Sequence, residues 1–181
     1  MAEPGPRRGL LTFGHGTAGP DELVGLLHDA GVSRVVDVRR FPGSRRNPGV
    51  SSEAMSSWLP EAGVEYVWEP RLGGRRRVPA GQDPDVDGWW RVAAFRAYAA
   101  HMRSEEFRAG LEVLLASMDR APTAIMCSES LWWRCHRRLI SDAVLLLHGR
   151  PVSHLAHDGR LTEHEPPPSA RVVAGQLHYD D

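Results

Sequence analysis

Apolar positions follow two rhythms along this chain. Short runs rich in Val, Leu and Ile mark five strands: Leu10–Phe13, Arg34–Val38, Val64–Trp68, Thr123–Cys127 and Pro151–His157. Between them, apolar residues recur every three or four positions. Pro20-Asp21-Glu22 opens a helix carrying Leu23, Leu26, Leu27 and Ala30, which Gly31 stops. Ser51-Ser52-Glu53 has capping chemistry for a second helix running to Gly63, with Pro60 ending or kinking it. Helices over Trp89–Met102 and Glu105–Met118 are split by Arg103-Ser104, and a long helix over Trp132–His148 stops at Gly149.

Strands alternating with helices predict an α/β fold: a single domain with a mostly parallel sheet of about five strands and helices on both faces. The pattern assigns residues 1–9 to a flexible N-terminus and 10–160 to the domain. Residues 161–181 carry Pro166-Pro167-Pro168 and little periodicity, and read as a tail that lies on the surface or frays.

With 41% apolar and 25% charged residues, the composition is that of an ordinary soluble globular protein. No run approaches the ~18 apolar residues of a spanning helix, and the first apolar segment is too short for a secretory signal. Two cysteines make no disulfide scaffold, so a reducing cytoplasm is expected, with no membrane partner and no cofactor. The net charge of −1 argues against a generic nucleic-acid coat. All 22 cationic residues are Arg, which a GC-rich genome explains, but their placement is informative.

Ligands of an open parallel sheet bind outside the carboxyl ends of its strands. Half of the arginines fall in three loops at those ends that together make up about a sixth of the chain. Residues 39–50 hold Arg39, Arg40, Arg45 and Arg46; residues 70–78 hold Arg71, Arg75, Arg76 and Arg77; residues 130–138 hold Arg134, Arg137 and Arg138. Phe41, Trp68, Trp132 and Trp133 are interleaved with them. Guanidinium groups beside flat aromatic faces suit phosphates and splayed bases. The plainer alternative is ion pairing with the 23 acids and Trp residues in the core.

The densest chemistry is Cys127-Ser128-Glu129 followed by Trp132-Trp133-Arg134-Cys135-His136-Arg137-Arg138. Three readings compete. A nucleophilic Cys127 before an Arg would resemble a phosphatase or sulfurtransferase loop, though the spacing is long and no glycine lets the loop curl. Zinc on Cys127, Glu129, Cys135 and His136 suffers from Cys135 and His136 pointing about 100° apart on a helix. The third is a structural and binding loop, with Cys135 as a small buried residue, Glu129 orienting Arg137 or another Arg, and His136 facing the cleft. His15, between two glycines at a strand end, is a further candidate. Asp37 is expected to pair with Arg39 or with an Arg from another loop; a ligand hydroxyl or a metal is the alternative partner. His154, His157 and His164 lack metal spacing and are assigned structural roles.

Taken together, Thr12-Phe13-Gly14-His15-Gly16, Val36-Asp37-Val38-Arg39 with Pro42, Leu72-Gly73-Gly74, Tyr98 through Met102, and Cys127-Ser128-Glu129 with Cys135-His136-Arg137 resemble the bacterial and archaeal domain-of-unknown-function family numbered 488. The likeness covers about residues 10–157. It implies a compact α/β domain with His15, Asp37, Arg39, Glu129, Cys135, His136 and Arg137 as signature positions. Two departures stand out: Gly16 replaces a usual Ser, and a Pro often found near Trp132 is absent. The family name supplies no activity.

Two functions are expected. The first is binding of nucleic acid, DNA more than RNA, by the Arg/Trp edge, with a role in repair or damaged-base recognition. The second is an enzyme acting on a small phosphorylated or nucleotide-like substrate, with Glu129 or His136 as acid–base group, His15 as partner, and Arg39 and Arg137 as anion clamp. A protein–protein adaptor with Trp anchors is a third, plainer option.

Overall fold

The structure is a computed structural model describing residues 8–43 and 45–180. Its strands are short and β-branched or aromatic, and their side chains alternate between two faces: β1 (Leu10–Gly14), β2 (Arg34–Asp37), β3 (Glu65–Trp68), β4 (Thr123–Cys127) and β5 (Val152–Leu155). On one face Phe13, Val35, Ala124 and Met126 pack against α1 (Pro20–Asp29) and α2 (Ser52–Glu61). On the other, Leu10, Val36, Ile125 and Cys127 meet α3 (Ala93–His101), α4 (Glu105–Arg120) and α5 (Arg137–His148). The α/β class, the single domain and helices on both faces are as the sequence predicts.

The sheet order is β3-β2-β4-β1-β5-β6. Five strands are parallel, and β6 (Leu161–Glu163) joins antiparallel to β5. Register sets Gly14 beside Cys127, and Asp37 beside both Met126 and Trp68, so four strands end level. The adjacent strands β1 and β4 send their following helices, α1 and α5, to opposite faces. That divergence opens a crevice at the strand ends, the place where this class of sheet binds ligands.

Three elements differ from expectation. Trp89 and Trp90 precede α3 rather than opening it; they pack edge to face, 4.8 Å between ring centroids. The expected helix over Trp132–His148 is interrupted. Trp132–Arg134 is one 3-10 turn, Cys135 is extended (φ −130°, ψ 152°), and α5 starts at Arg137. The extended residue turns the Cys135 sulfur toward Cys127, and the helical-angle objection to a shared Cys135–His136 site therefore lapses.

The third difference is the expected tail, which is built into the body. Besides β6, it forms the hairpin β7 (Ala170–Val173) and β8 (Gln176–Tyr179), whose Leu177 and Tyr179 are buried in the core. Tyr179 is held at both backbone groups, accepting from the Trp89 amide and donating to Asp87 Oδ1. β6 and β7 are almost wholly exposed, so neither shows the buried-face pattern that marks a strand in sequence. Residues 1–7 of the expected flexible N-terminus lie outside the described residues. No described helix is long and apolar enough to cross a membrane.

Candidate functional site

A cavity of about 420 Å³ lies in the crevice between the loops after β1, β2 and β4. Of the residues singled out from sequence, His15, Arg39, Arg40, Arg75, Glu129, Arg134 and His136 line it, joined by Cys127, Cys135, Phe41, Phe95 and Tyr98. A shallower groove of about 640 Å³ shares the wall formed by Arg40, Phe41 and Arg75, and continues past Arg76, Arg77 and His101.

The floor is ordered by a buried ion pair. Arg39 Nε and Nη2 donate to the two oxygens of Asp37 at 2.9 and 2.7 Å, and Tyr66 OH donates to Asp37 Oδ2 at 2.6 Å. Burial works against the Arg39 charge, but the hydrogen bonds to Asp37 outweigh it and raise its pKa. Arg39 Nη1 donates to His15 Nε2 at 3.2 Å, while His15 Nδ1 donates to the Gly16 carbonyl. Burial, with the Arg39 charge adding to it, lowers the His15 pKa.

The sulfur cluster sits beside this floor. Cys127 Sγ and Cys135 Sγ are 2.7 Å apart. Arg137, fully buried, donates from Nε to Cys127 Sγ at 3.0 Å and from Nη1 to Thr12 Oγ1 at 3.2 Å. Its Nη2 bonds the Glu129 carbonyl, not the carboxylate; the Glu129 side chain accepts from the Leu131 amide, so the expected side-chain orientation of Arg137 by Glu129 is replaced by a backbone contact. His136 Nε2 donates to the Val38 carbonyl at 2.8 Å, leaving Nδ1 toward Cys135 Sγ at 3.5 Å. Burial opposes charge on His136, but Cys135 raises its pKa; the Cys127 hydrogen bond, His136 and Arg137 together overcome burial and hold the Cys135 thiol well below its ordinary value. Burial and the Cys135 neighbour push the Cys127 thiol up. Cys135 is thus more than the inert packing residue expected from sequence. Among the described residues no group of three or more His, Cys, Asp and Glu side chains is placed to hold a metal ion.

The arginines divide. Arg39, Arg71 and Arg76 are matched by Asp37, Glu69 and Glu106. Among the described residues no carboxylate pairs with Arg40, Arg45, Arg46, Arg75, Arg77, Arg134, Arg137 or Arg138. Arg40 and Arg75 lie over Phe41 at 5.3 and 5.8 Å, and Arg138 stacks on Trp90 at 4.7 Å. Arg45, Arg46 and Arg77 are exposed, but line neither the cavity nor, in the case of Arg45 and Arg46, the groove. Arg137 is enclosed and serves the sulfur cluster rather than a rim.

The aromatics divide too. Trp132 lies flat on His154, 4.1 Å between centroids, and is occupied there. Trp133, Trp68 and Phe41 are exposed by 48, 46 and 60%. Phe95 was missed because nothing in its helical spacing distinguishes a cavity wall from core, and Tyr98 entered only through the family resemblance. Also missed was a buried chain in which one assignment of protons satisfies every bond. Arg137 donates to Thr12, Thr12 to His154 (2.6 Å), His154 to His164 (2.9 Å), and His164 to Asp142 (2.6 Å), which also accepts from Tyr179.

Fold and crevice together define a small α/β protein with a sulfur-floored cavity at the strand ends. The family described as "Domain of unknown function DUF488" matches residues 19–144, most of the chain, and the chain belongs to that family. No curated protein and no solved structure matches it.

Proposed function

We propose that this protein binds a nucleic-acid strand, DNA foremost, with one nucleotide unit entering the cavity and adjacent phosphates following the groove along Arg77. The observation that carries the reading is the shared wall of the two hollows. There Arg40 and Arg75, neither paired with a carboxylate among the described residues, lie over the exposed Phe41 ring. An exposed ring beside two guanidiniums puts an aromatic surface and phosphate donors within one nucleotide's reach. A cavity able to hold one displaced base supports a role in repair or damaged-base recognition.

A second reading is favoured by the size of the cavity: about 420 Å³ suits a small phosphorylated ligand. In it His136 offers only Nδ1 for proton transfer, because Nε2 is committed to Val38. Glu129 would be the alternative acid–base group.

Fluorescence anisotropy with labelled single-stranded DNA, duplex DNA and RNA, beside calorimetry with nucleoside monophosphates, separates the two. The proposal expects single-stranded DNA to bind, and to weaken steeply between about 50 and 200 mM salt as the free-energy gain from counterion release shrinks. Mononucleotide binding without gain from the strand supports the small-ligand reading. Absent or salt-insensitive binding by every probe overturns both.

A further inference from the structure

The cavity floor holds chemistry that a binding role does not use. Two thiols lie 2.7 Å apart, Cys127 at the end of β4 and Cys135 just before α5. Both are almost fully buried from the outer surface, yet both line the cavity, so a small reagent entering it meets them. We propose that Cys127 and Cys135 form a redox-active dithiol whose oxidising substrate is a hydroperoxide, with Cys135 the attacking sulfur and Cys127 the resolving one.

The donors around each sulfur set this division. Cys135 Sγ is approached by the Cys127 thiol, by His136 Nδ1 and by the Arg137 backbone amide at the start of α5. Three donors around one sulfur stabilise a thiolate, the reactive form. Cys127 receives Arg137 Nε, and its own S–H is free to point at Cys135 or at the Glu129 carbonyl. The low Cys135 pKa and high Cys127 pKa agree with the assignment.

The steps balance. The Cys135 thiolate attacks the terminal oxygen of the hydroperoxide; an S–O bond forms, the O–O bond breaks, and the departing alkoxide, or hydroxide from hydrogen peroxide, takes the His136 Nδ1 proton. Cys127 sulfur then attacks Cys135 sulfur. The S–S bond forms, the S–O bond breaks, and hydroxide leaves as water with the Cys127 thiol proton. Two sulfurs are each oxidised by one electron, and the peroxide bond is reduced by two. An external dithiol restores both thiols by exchange. The sulfurs need only close from their present contact to the ~2.05 Å of a disulfide, across a loop that already brings them together.

Trypsin provides the test, because it cuts after Arg134 and leaves Cys127 in peptide 121–134 and Cys135 in peptide 135–137. Folded protein treated with hydrogen peroxide should lose both titratable thiols and yield these peptides joined, separating on dithiothreitol. In Cys127→Ala, dimedone should trap a sulfenic acid on Cys135. In Cys135→Ala, oxidation of the remaining thiol should slow by roughly tenfold or more. Two results would overturn the proposal: both thiols surviving peroxide in the folded wild type while oxidising in urea, or equal rates for the two single variants. Peptide mapping of the wild type decides the matter even if a variant does not fold. This proposal rests on sulfur geometry alone, so loss of nucleotide binding leaves it standing, and the reverse holds.

Discussion

Asp37 and Arg39 face each other across two hydrogen bonds in the floor of the cavity, and removing either leaves the other buried without its partner. Asp37→Asn should cost about 3 kcal/mol of stability by urea unfolding, because a buried guanidinium then lacks its counter-charge. Arg40→Gln, at an exposed position, should stay within about 0.5 kcal/mol of wild type. This pair was legible in the sequence, since two residues straddling a strand end are neighbours by geometry. The sulfur pair was not. Its contact depends on Cys135 leaving helical geometry, and a Trp-Trp-Arg-Cys-His run looks helical by composition. Arg75 carries a cost of another kind: its φ of 58° is left-handed, where side chains are rarely found. Arg75→Gly therefore removes the charge while fitting the same backbone.

At the scale of elements, the site is assembled by close backbone approach. A Cβ added at Gly14 would collide with the Glu129 carbonyl, and one at Gly73 would lie 2.6 Å from the Arg40 backbone. These glycines let the loops after β4 and β3 lie against the ends of β1 and β2. Gly14→Ala should destabilise by about 1–3 kcal/mol, seen as a lower Tm, and displace the 128–130 loop. Strands were legible because their runs are β-branched and bounded by turn residues. The break after Trp132–Arg134 and the hairpin β7–β8 were not, being set by tertiary partners such as Asp142 and Asp87. Deleting residues 161–181 should remove Leu177 and Tyr179 from the core and leave a chain that fails to give a cooperative thermal transition.

Across the whole molecule, the Thr12–His154–His164–Asp142–Tyr179 chain ties β1, β5, α5 and β8 together and ends on Arg137 beside the sulfurs. Burial, then the neighbouring His164, pushes the His154 pKa from 6.5 down to about 3. Between these values the unfolded chain takes a proton that the folded one refuses, so stability falls as pH falls, by up to about 1.4 kcal/mol per unit. His15, lowered by burial, acts in the same direction. His136, with its pKa raised, acts oppositely: its contribution is full below the unfolded pKa and lost as pH rises through the folded one. The urea midpoint should therefore drop from pH 7 to pH 5, and the drop should shrink in His154→Gln. A midpoint independent of pH over that range contradicts a neutral buried histidine. The parallel sheet and its ligand-binding edge were legible from the alternation of strands and helices. Which arginines on that edge remain open was not, because a distant residue such as Glu106 meets Arg76 only in the folded chain.

The proposed function places an anionic strand in the hollow between β1 and β4. Its most direct test compares single-stranded DNA affinity for wild type, for Arg75→Gly/Arg134→Gln, and for Arg120→Gln/Arg171→Gln, a pair with the same charge loss outside the cavity and groove. The first pair should weaken binding by about tenfold or more and flatten the salt dependence by about one ion per lost phosphate contact, while the second leaves both near wild type. Equal losses from the two pairs would contradict it, since binding would then follow net charge and not the site.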